Sequence, residues 1–187
     1  MRRLLLLLLA GGAAAISVPP MRLYGSAAAV RGDFGGRAAG EALCAQNQPE
    51  GCFRVGVLLS APPDDHARNL FADNGAPVFG PGYQYIVPSW SNLFDDSELY
   101  GSMEVSGVAS LWYAWTGSGA TGYVIDRHCN NWTSASGAVL GQVGLNDRAD
   151  SHWINDGKGH CNNANQLICL CYPFPPTSQP TQYPSAD

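Results

Sequence analysis

The sequence predicts an α+β domain cross-linked by disulfide bonds, and three observations lead to this class. Short apolar segments of strand type are separated by turn-forming residues along most of the chain. Two stretches in the N-terminal half have the pattern of helices. Six cysteines lie in the first and last thirds of the chain, and 22 glycines and 13 prolines indicate that much of the length is ordered loop.

Five segments in the N-terminal half follow from local patterns. Met21–Tyr24 is apolar and predicts the first strand, whereas the glycine- and alanine-rich segment Gly25–Gly36 predicts a loop. The alanine-rich stretch Gly36–Gln46 carries apolar residues at helical spacing and predicts a helix. Apolar residues alternate in Cys52–Ser60, which predicts a buried strand. After a proline-rich break, we expect a second short helix over His66–Ala72.

The middle of the chain is predicted to form short elements. Val78–Phe94 mixes turn residues with aromatic residues, which indicates short strands and a helical turn. The aromatic run Leu111–Thr116 predicts a strand. We expect a short helix or turn over Asp126–Trp132 and a glycine-rich loop with an extended piece over Gly137–Leu145.

Two closing strands and a polar tail complete the predicted organisation. The strands are expected within Ser151–Asp156 and Asn165–Tyr172. Pro173–Asp187 consists mainly of Pro, Ser, Thr and Gln, which cannot bury enough apolar surface to offset the entropy of ordering. We therefore expect one domain over residues 21–172 and a flexible tail over residues 173–187.

The first residues have the features of a secretory signal peptide. A basic start, a run of six leucines and a small-residue end follow one another within Arg2–Ser17. We expect residues 1–17 to form the signal peptide, with cleavage between Ala13 and Pro19. No other apolar run approaches the roughly 20 residues that a membrane-spanning helix needs. The sequence therefore predicts a secreted protein, extracellular or associated with the cell surface.

The charge composition argues against several classes of partner. The net charge of the chain is −5, and removal of Arg2 and Arg3 would leave 8 basic against 15 acidic residues, a net charge of −7. Lys158 is the single lysine. An acidic, lysine-poor protein is a poor candidate for binding nucleic acid, heparin-like polyanions or anionic membranes.

The six cysteines of a secreted chain predict three disulfide bonds, for which 15 pairings are possible. Zinc binding is the competing interpretation of a cysteine-rich sequence. No C-x-x-C motif occurs, so the spacing does not support a zinc site.

Several motifs occur in an order that resembles a known family. They are a helix ending in cysteine (Cys44), G-x-F-R (Gly51–Arg54), L-S (Leu59, Ser60), P-S-W-x-x-L-F (Pro88–Phe94), W-x-G (Trp115–Gly117), Gly122, C-x-x-W (Cys129–Trp132), Gly141, Cys161 and Cys169. In this order they resemble the endostatin domain of type XVIII and XV collagens and related bacterial surface-protein domains. The resemblance covers about residues 21–172 and implies a C-type lectin-like fold with short, twisted antiparallel strands and two N-terminal helices.

The resemblance also implies a disulfide pairing. In the family, the cysteine of the first helix bonds that of the last strand, and two intervening cysteines bond each other. This corresponds to Cys44–Cys169 and Cys129–Cys161 in the present sequence, and leaves Cys52–Cys171 as an additional pair. A swapped arrangement, with Cys44–Cys171 and Cys52–Cys169, is the alternative.

The function that the resemblance implies is binding to an extracellular protein or matrix ligand, without catalysis. Two alternatives stay open: a carbohydrate-binding lectin, with or without dependence on calcium, and a hydrolase on the same scaffold. Heparin affinity in the family depends on clustered arginines, whereas those of this domain are dispersed: Arg31, Arg37, Arg54, Arg68, Arg127 and Arg148. Heparin binding is therefore not expected, and no cofactor is expected.

Two features of the sequence suggest a bound metal ion, calcium for one and zinc for the other. The W-I-N-D segment Trp153–Asp156 resembles the W-N-D of calcium-dependent lectins, and Asn155 and Asp156, with Asn146 and Asp147, are the candidate ligands. The inserted isoleucine and the absence of E-P-N or Q-P-D favour a structural role for the segment. His128 and His160 precede cysteines that the resemblance pairs, but two histidines do not make a zinc site.

Four further motifs have a competing structural interpretation. Arg31-Gly32-Asp33 is an adhesion tripeptide, here expected in the loop that leads into the first helix. Asp64, Asp65 and His66 offer carboxylates and a base without a nucleophile motif, so catalysis is not expected. Asn131-Trp132-Thr133 is a glycosylation sequon. Five tryptophans could form a sugar-stacking platform, although a core role is expected for at least three.

Overall fold

The computed structural model describes residues 20–172. Within that range it shows a mixed α+β protein built on an eight-stranded sheet, as the sequence predicts for the fold class. The predicted signal peptide over residues 1–17 and the predicted tail over residues 173–187 lie outside the described residues. None of the helices within residues 20–172 has the length and apolar character needed to cross a bilayer.

The sheet contains eight short strands. They are β1 (Met21–Gly25), β2 (Arg54–Val57), β3 (Val78–Phe79), β4 (Tyr85–Val87), β5 (Tyr113–Trp115), β6 (Leu140–Leu145), β7 (Gly157–His160) and β8 (Gln166–Tyr172). Their order is β4-β3-β1-β8-β5-β6-β7, with β2 paired to β8 outside this path. Most pairs are antiparallel, but β1–β3 and β5–β8 are parallel, which the prediction of an antiparallel sheet did not include.

Strand β8 is the centre of the sheet. One edge pairs with β1, and the other edge pairs first with β5 and then with β2. All seven of its residues are buried. A strand covered on both faces reads as a continuous apolar run, which explains why Asn165–Tyr172 could be recognised as a strand.

Successive side chains of the central strands enter two different cores, because neighbouring residues of a strand point to opposite faces. The aromatic core, on one face, is built mainly from Met21, Leu23, Leu58, Phe71, Val78, Ile86, Trp90, Leu93, Phe94, Met103, Trp153, Ile154, Ile168, Leu170 and Tyr172. The cystine core, on the other face, is built mainly from Tyr24, Cys44, Val57, Leu59, Trp115, Cys129, Trp132, Val143, Cys161, Leu167, Cys169 and Cys171.

Helix α1 (Gly36–Ala45) covers part of the cystine core. Its alanine-rich sequence has high helix propensity. Gly40 lets the helix approach β2, since a Cβ at this position would lie 3.2 Å from a Val57 methyl carbon. Cys44, in the last turn, is bonded to Cys169 of β8. The helix is therefore attached to the sheet by close packing at one point and by a covalent bond at another.

The structure joins the six cysteines in three disulfides. Cys44 pairs with Cys169, Cys52 with Cys171, and Cys129 with Cys161, at Cα–Cα distances of 5.6, 5.2 and 5.6 Å. These are the pairs that the resemblance implies, and the swapped arrangement is not adopted. Cys169 and Cys171 share one face of β8, so the first two bonds lie side by side and tie the helix end and β2 to the same strand.

Two predicted elements are wrong in type. The second N-terminal helix, expected over His66–Ala72, is a single 3-10 turn over Ala67–Asn69. The closing strand expected in Ser151–Asp156 is a 3-10 turn over Ser151–Trp153, capped by the carboxylate of Asp150. Each segment places two apolar side chains in the core at a bend, Ala67 and Phe71 in the first and Trp153 and Ile154 in the second. So few apolar residues cannot distinguish a bend from a short regular element.

Candidate functional site

Four of the five tryptophans are buried, and the fifth defines an exposed site. The buried ones are Trp90, Trp115, Trp132 and Trp153, whereas Trp112 is 73% exposed. Leu111 and Tyr113 on either side of Trp112 are also exposed. We call these three residues, Leu111, Trp112 and Tyr113, the tryptophan ridge. Sequence reasoning assigned Leu111–Thr116 to a strand but did not identify which tryptophan reaches solvent.

Two buried amide side chains hold the backbone of the tryptophan ridge. The Asn146 side-chain amide donates to the Leu111 carbonyl at 2.7 Å, and the Asn146 main-chain N–H donates to the Trp112 carbonyl at 2.9 Å. The Gln166 side-chain oxygen accepts from the N–H groups of Ser110 and Leu111 at 2.9 and 3.3 Å. The ridge is thus an exposed apolar surface on a backbone fixed from below.

The surroundings of the ridge are acidic. The main-chain N–H of Glu104 donates to the Asn146 carbonyl at 2.9 Å, which brings residues 104 and 147 beside the ridge. The carboxylates of Glu104 and Asp147 are exposed, and neither forms an ion pair with another residue in the described range. The cation adjacent in sequence, Arg148, forms its ion pair with Asp150 and interacts with Asp147 only through its charge, without a direct ion pair.

The Arg148–Asp150 pair changes the acidity of Asp150. Hydrogen bonding to the Arg148 guanidinium lowers the pKa of Asp150 to about 2, and bonds from the His152 main chain and side chain act in the same direction. Because the pair lies at the surface, its contribution to stability is small. Locally, the Asp150 carboxylate caps the 3-10 turn that places Trp153 in the aromatic core.

A second exposed aromatic surface lies on the β3–β4 hairpin. We call it the tyrosine row: Phe79, Tyr83, Tyr85 and Tyr100. Their rings contact one another edge to face, with centroid distances of 6.2 Å for Phe79–Tyr83, 5.6 Å for Phe79–Tyr85 and 4.9 Å for Tyr85–Tyr100. Tyr83 has a φ of 63°, an unfavourable value for a residue with a side chain, in the turn that presents it.

The structure does not gather the predicted calcium ligands into an open oxygen site. The Asn155 side-chain oxygen already accepts a 2.8 Å hydrogen bond from the Gln142 side chain. Asn146 is fully buried and uses its amide to hold Leu111, and its side-chain oxygen has no partner. Asp147 and Asp156 are exposed. Residues 20–172 contain no group of three or more His, Cys, Asp or Glu side chains arranged to hold a metal ion.

The adhesion tripeptide lies on a rigid loop. The carboxylate of Asp33 is 3.5 Å from the Arg31 guanidinium, so the two exposed side chains pair with each other. Gly32 is buried and its N–H donates to the Cys161 carbonyl at 2.8 Å. A Cβ on Gly32 would lie only 2.7 Å from the Cβ of Cys129. Glycine is therefore needed here to pack against the Cys129–Cys161 disulfide, a structural requirement that is independent of adhesion.

The histidine and carboxylate candidates are used in local hydrogen bonds. His66 Nδ1 accepts from the Val124 N–H at 3.1 Å, and Asp65 pairs with Arg37. His128 Nδ1 accepts from the Asn131 N–H at 2.8 Å, and His160 Nδ1 lies 2.7 Å from the Gly137 carbonyl oxygen. In each of these three histidines the Nδ1 atom is engaged with the backbone, which fixes the orientation of the ring.

The glycosylation sequon lies on an unusual turn. Cys129, Asn130, Asn131 and Trp132 have φ values of 50, 53, 58 and 61° and form one left-handed helical turn, within the short helix or turn that the sequence predicts over Asp126–Trp132. Asn131 is exposed, whereas Trp132 is buried. Left-handed backbone is costly for residues with a Cβ, and here the Cys129–Cys161 bond and the Trp132 contacts hold it.

Comparison with known proteins identified no relative: no protein-family model matches the chain, and no curated protein matches its sequence. The candidate site is therefore defined by its own geometry. Its two distinctive features are the tryptophan ridge and the tyrosine row. Both are exposed aromatic surfaces, but only the ridge is held from below by buried amide side chains.

Proposed function

We propose that this protein is a secreted, non-catalytic binding module with an endostatin-like, C-type lectin-like fold. It engages an extracellular protein or matrix ligand through the tryptophan ridge. The single observation that carries this proposal is the exposure of Trp112 on a backbone that Asn146 and Gln166 hold in place.

A preorganised, exposed tryptophan is suited to binding a protein. Tryptophan and tyrosine are enriched among the residues that dominate interface energies. Fixing the backbone before binding reduces the entropy that association costs. The tryptophan ridge combines both properties, since the main chain of Leu111 is bonded to the buried side chains of Asn146 and Gln166, and that of Trp112 to the Asn146 main-chain N–H.

The fold part of the proposal is supported by how the family-like motifs are used. Trp132 of C-x-x-W donates from its indole N–H to the carbonyl of Ser60, at 3.0 Å. Gly117 of W-x-G has a φ of 61° and no room for a Cβ beside the same carbonyl. Gly122, with a φ of 76°, leaves space for the ring of Phe94. Motifs far apart in sequence thus meet in space, as expected if they belong to one structural pattern.

Secretion is supported by the three disulfides together with the N-terminal sequence pattern. Disulfides persist in oxidising compartments and are rare in the cytosol. All six cysteines are bonded within the described residues, so none is left as a nucleophile. The absence of a free thiol within residues 20–172 and of a serine nucleophile motif in the sequence favours binding over hydrolysis.

The test is a binding screen with a single-site variant. The purified full chain is applied to an array of purified extracellular matrix proteins and to a glycan array, each as wild type and as Trp112→Ala. We expect a matrix protein to bind the wild type and the variant to bind it at least 30-fold more weakly, the effect of removing a residue worth about 2 kcal/mol. The melting temperature of the variant should be unchanged, because Trp112 is exposed.

Phe53→Ala is the matched control. Phe53 is an aromatic residue of similar exposure, 59%, and its main chain bonds the end of β8 opposite to Gln166. This control should bind like the wild type. Binding only to glycans would establish the lectin alternative instead, and equal binding by wild type and Trp112→Ala would remove the ridge from the site.

A further inference from the structure

The tyrosine row leaves an apolar strip in solvent that the proposed ligand surface does not use. Tyr83, Tyr85 and Tyr100 are 62, 38 and 74% exposed, and Phe79 connects them. Contiguous exposed apolar surface on a protein marks a place where something binds. Aromatic rows of this kind accept proline-rich segments, whose extended conformation needs little further ordering on binding.

The C-terminal end of the described chain lies close to this row. Cys171 of β8 is opposite Arg22 of β1, and Arg22 is opposite Phe79 of β3. Two strand spacings correspond to about 10 Å. Residues in register across neighbouring strands project from the same face. The chain that continues after Tyr172 therefore starts close enough to reach the row.

Arg22 forms a physical bridge from the chain end to the row. Its guanidinium lies 3.5 Å from the sulfur of Cys171 and 5.4 Å from the centre of the Tyr83 ring. It also donates a 2.6 Å hydrogen bond to the Glu50 carbonyl, which fixes its position. One largely buried, ordered side chain, that of Arg22, therefore contacts both Cys171 at the chain end and Tyr83 of the row.

The segment that follows Tyr172 has the matching composition. Residues 173–187 contain five prolines and no lysine or arginine, and Asp187 is the one acidic residue. The prolines are Pro173, Pro175, Pro176, Pro180 and Pro184. Fifteen residues in an extended proline-type conformation span about 45 Å, several times the distance to the row.

We propose that residues 173–187 dock on the tyrosine row of the same molecule. The short connection supplies an effective concentration of about 1 mM, so an intrinsic dissociation constant of about 0.2 mM keeps the segment bound for most of the time. The row is then an internal docking site, and the surface left for an external ligand is the tryptophan ridge. This inference does not depend on what the ridge binds.

The experiment is site-resolved nitration of tyrosines in the full chain. The wild type and a variant with all five prolines of residues 173–187 changed to serine are treated with tetranitromethane, and nitration at each tyrosine is quantified by mass spectrometry. Nitration of Tyr83, Tyr85 and Tyr100 should be about sixfold faster in the variant, the ratio expected from the occupancy above. Tyr113 and Tyr123, which are exposed elsewhere, are internal references and should react equally in both proteins.

Two further measurements decide whether the docking is intramolecular. Adding a synthetic peptide of residues 173–187 to the serine variant should restore protection of the row. Protection in the wild type should not depend on protein concentration, and a concentration dependence would mean that a second copy supplies the segment, which overturns docking in cis. Equal nitration rates in wild type and variant overturn the inference altogether.

A second variant leaves the proline-rich segment intact. In Tyr100→Ala, nitration of Tyr183 within the segment should become faster than in the wild type, because the docking surface is incomplete. Near-ultraviolet circular dichroism checks that both variants keep the wild-type core. Unchanged nitration of Tyr183 in Tyr100→Ala contradicts the proposal independently of the serine variant.

Discussion

The two faces of the sheet are stabilised in different ways. The cystine core contains all six cysteines and two of the buried tryptophans, and its cover includes helix α1 and the left-handed turn. The aromatic core contains no cysteine within residues 20–172, and its cover consists mainly of loops and 3-10 turns from which Phe71, Trp90, Phe94 and Trp153 point inwards. One face depends on covalent bonds and the other on packing.

The difference shows which unfavourable contribution to the free energy of folding each face has to compensate. On the cystine side, the disulfides hold Cys129–Trp132 in a costly backbone conformation and attach a helix of only ten residues. On the aromatic side, irregular loops give little local stability, and large rings supply buried area instead. The rings of Trp90 and Phe94, 5.3 Å apart and edge to face, show this directly.

The largest effect is expected from removing both parallel disulfides. Cys44–Cys169 and Cys52–Cys171 each close more than 100 residues, but while one is intact the other closes only about ten. Either pair changed to alanine should therefore cost about 2–3 kcal/mol, whereas both pairs together should cost about 7 kcal/mol, more than the sum, because the last bond removed closes a loop of more than 100 residues. Urea unfolding of the three variants measures this. Simple additivity of the two effects would contradict the parallel arrangement.

Trp90→Ala tests the aromatic core, which depends on packing. Trp90 is buried between Phe71 and Phe94, and its indole N–H donates to the Arg68 carbonyl at 2.8 Å. Its truncation should cost about 3–5 kcal/mol. Trp112→Ala removes the same atoms from an exposed position and should cost less than about 0.5 kcal/mol. Similar losses in the two variants would show that Trp112 is buried in solution.

Gly32→Ala tests how tightly the cystine core is closed. A new Cβ would lie 2.7 Å from the Cys129 Cβ and 2.9 Å from the Ser134 carbonyl oxygen, and neither neighbour is the flexible end of a side chain. The cost should be about 1–3 kcal/mol. The control is Ala27→Gly, at an exposed loop position. Gly75→Ala is unsuitable as a control because the φ of Gly75 is 71°, where alanine is strained. A neutral Gly32→Ala would show that the loop moves away from the disulfide.

The smallest effect concerns the cap of the turn that carries Trp153. The pKa of Asp150 is lowered to about 2, so its stabilising contribution is present above its ordinary value near 4 and is lost as the pH falls towards 2. Asp150→Asn should lower stability by less than about 1 kcal/mol at neutral pH, since the pair is at the surface. The difference from the wild type should disappear near pH 2. A difference that persists at pH 2 would assign the effect to something other than the charge of Asp150.

Much of the fold could be predicted because its defining residues are locally distinctive. The closing strand was clear because β8 is buried on both faces and its sequence is therefore apolar throughout. Helix α1 could be predicted because several alanines within its ten residues favour a helix. Strand β7, Gly157–His160, was missed because its sequence G-K-G-H has no apolar pattern, and it forms only by pairing with β6.

The candidate site was harder to predict, because exposure is a property of the assembled fold. Leu111, Trp112 and Tyr113 form an apolar run that reads like a buried strand. Only the pairing of Asn146 with this segment shows that its backbone is held while its side chains face solvent. The tyrosine row is equally non-local, since Tyr100 reaches Tyr85 from outside the hairpin. No spacing in the sequence predicts either contact.

The position of β8 at the centre of the sheet has a consequence for synthesis. Strands β1, β2 and β5 all pair with residues 166–172, and two of the three disulfides end there. A ribosome delivers these residues after every other described strand, so neither core can close before β8 has been made. Cys44 and Cys52 stay without their native partners until Cys169 and Cys171 have emerged.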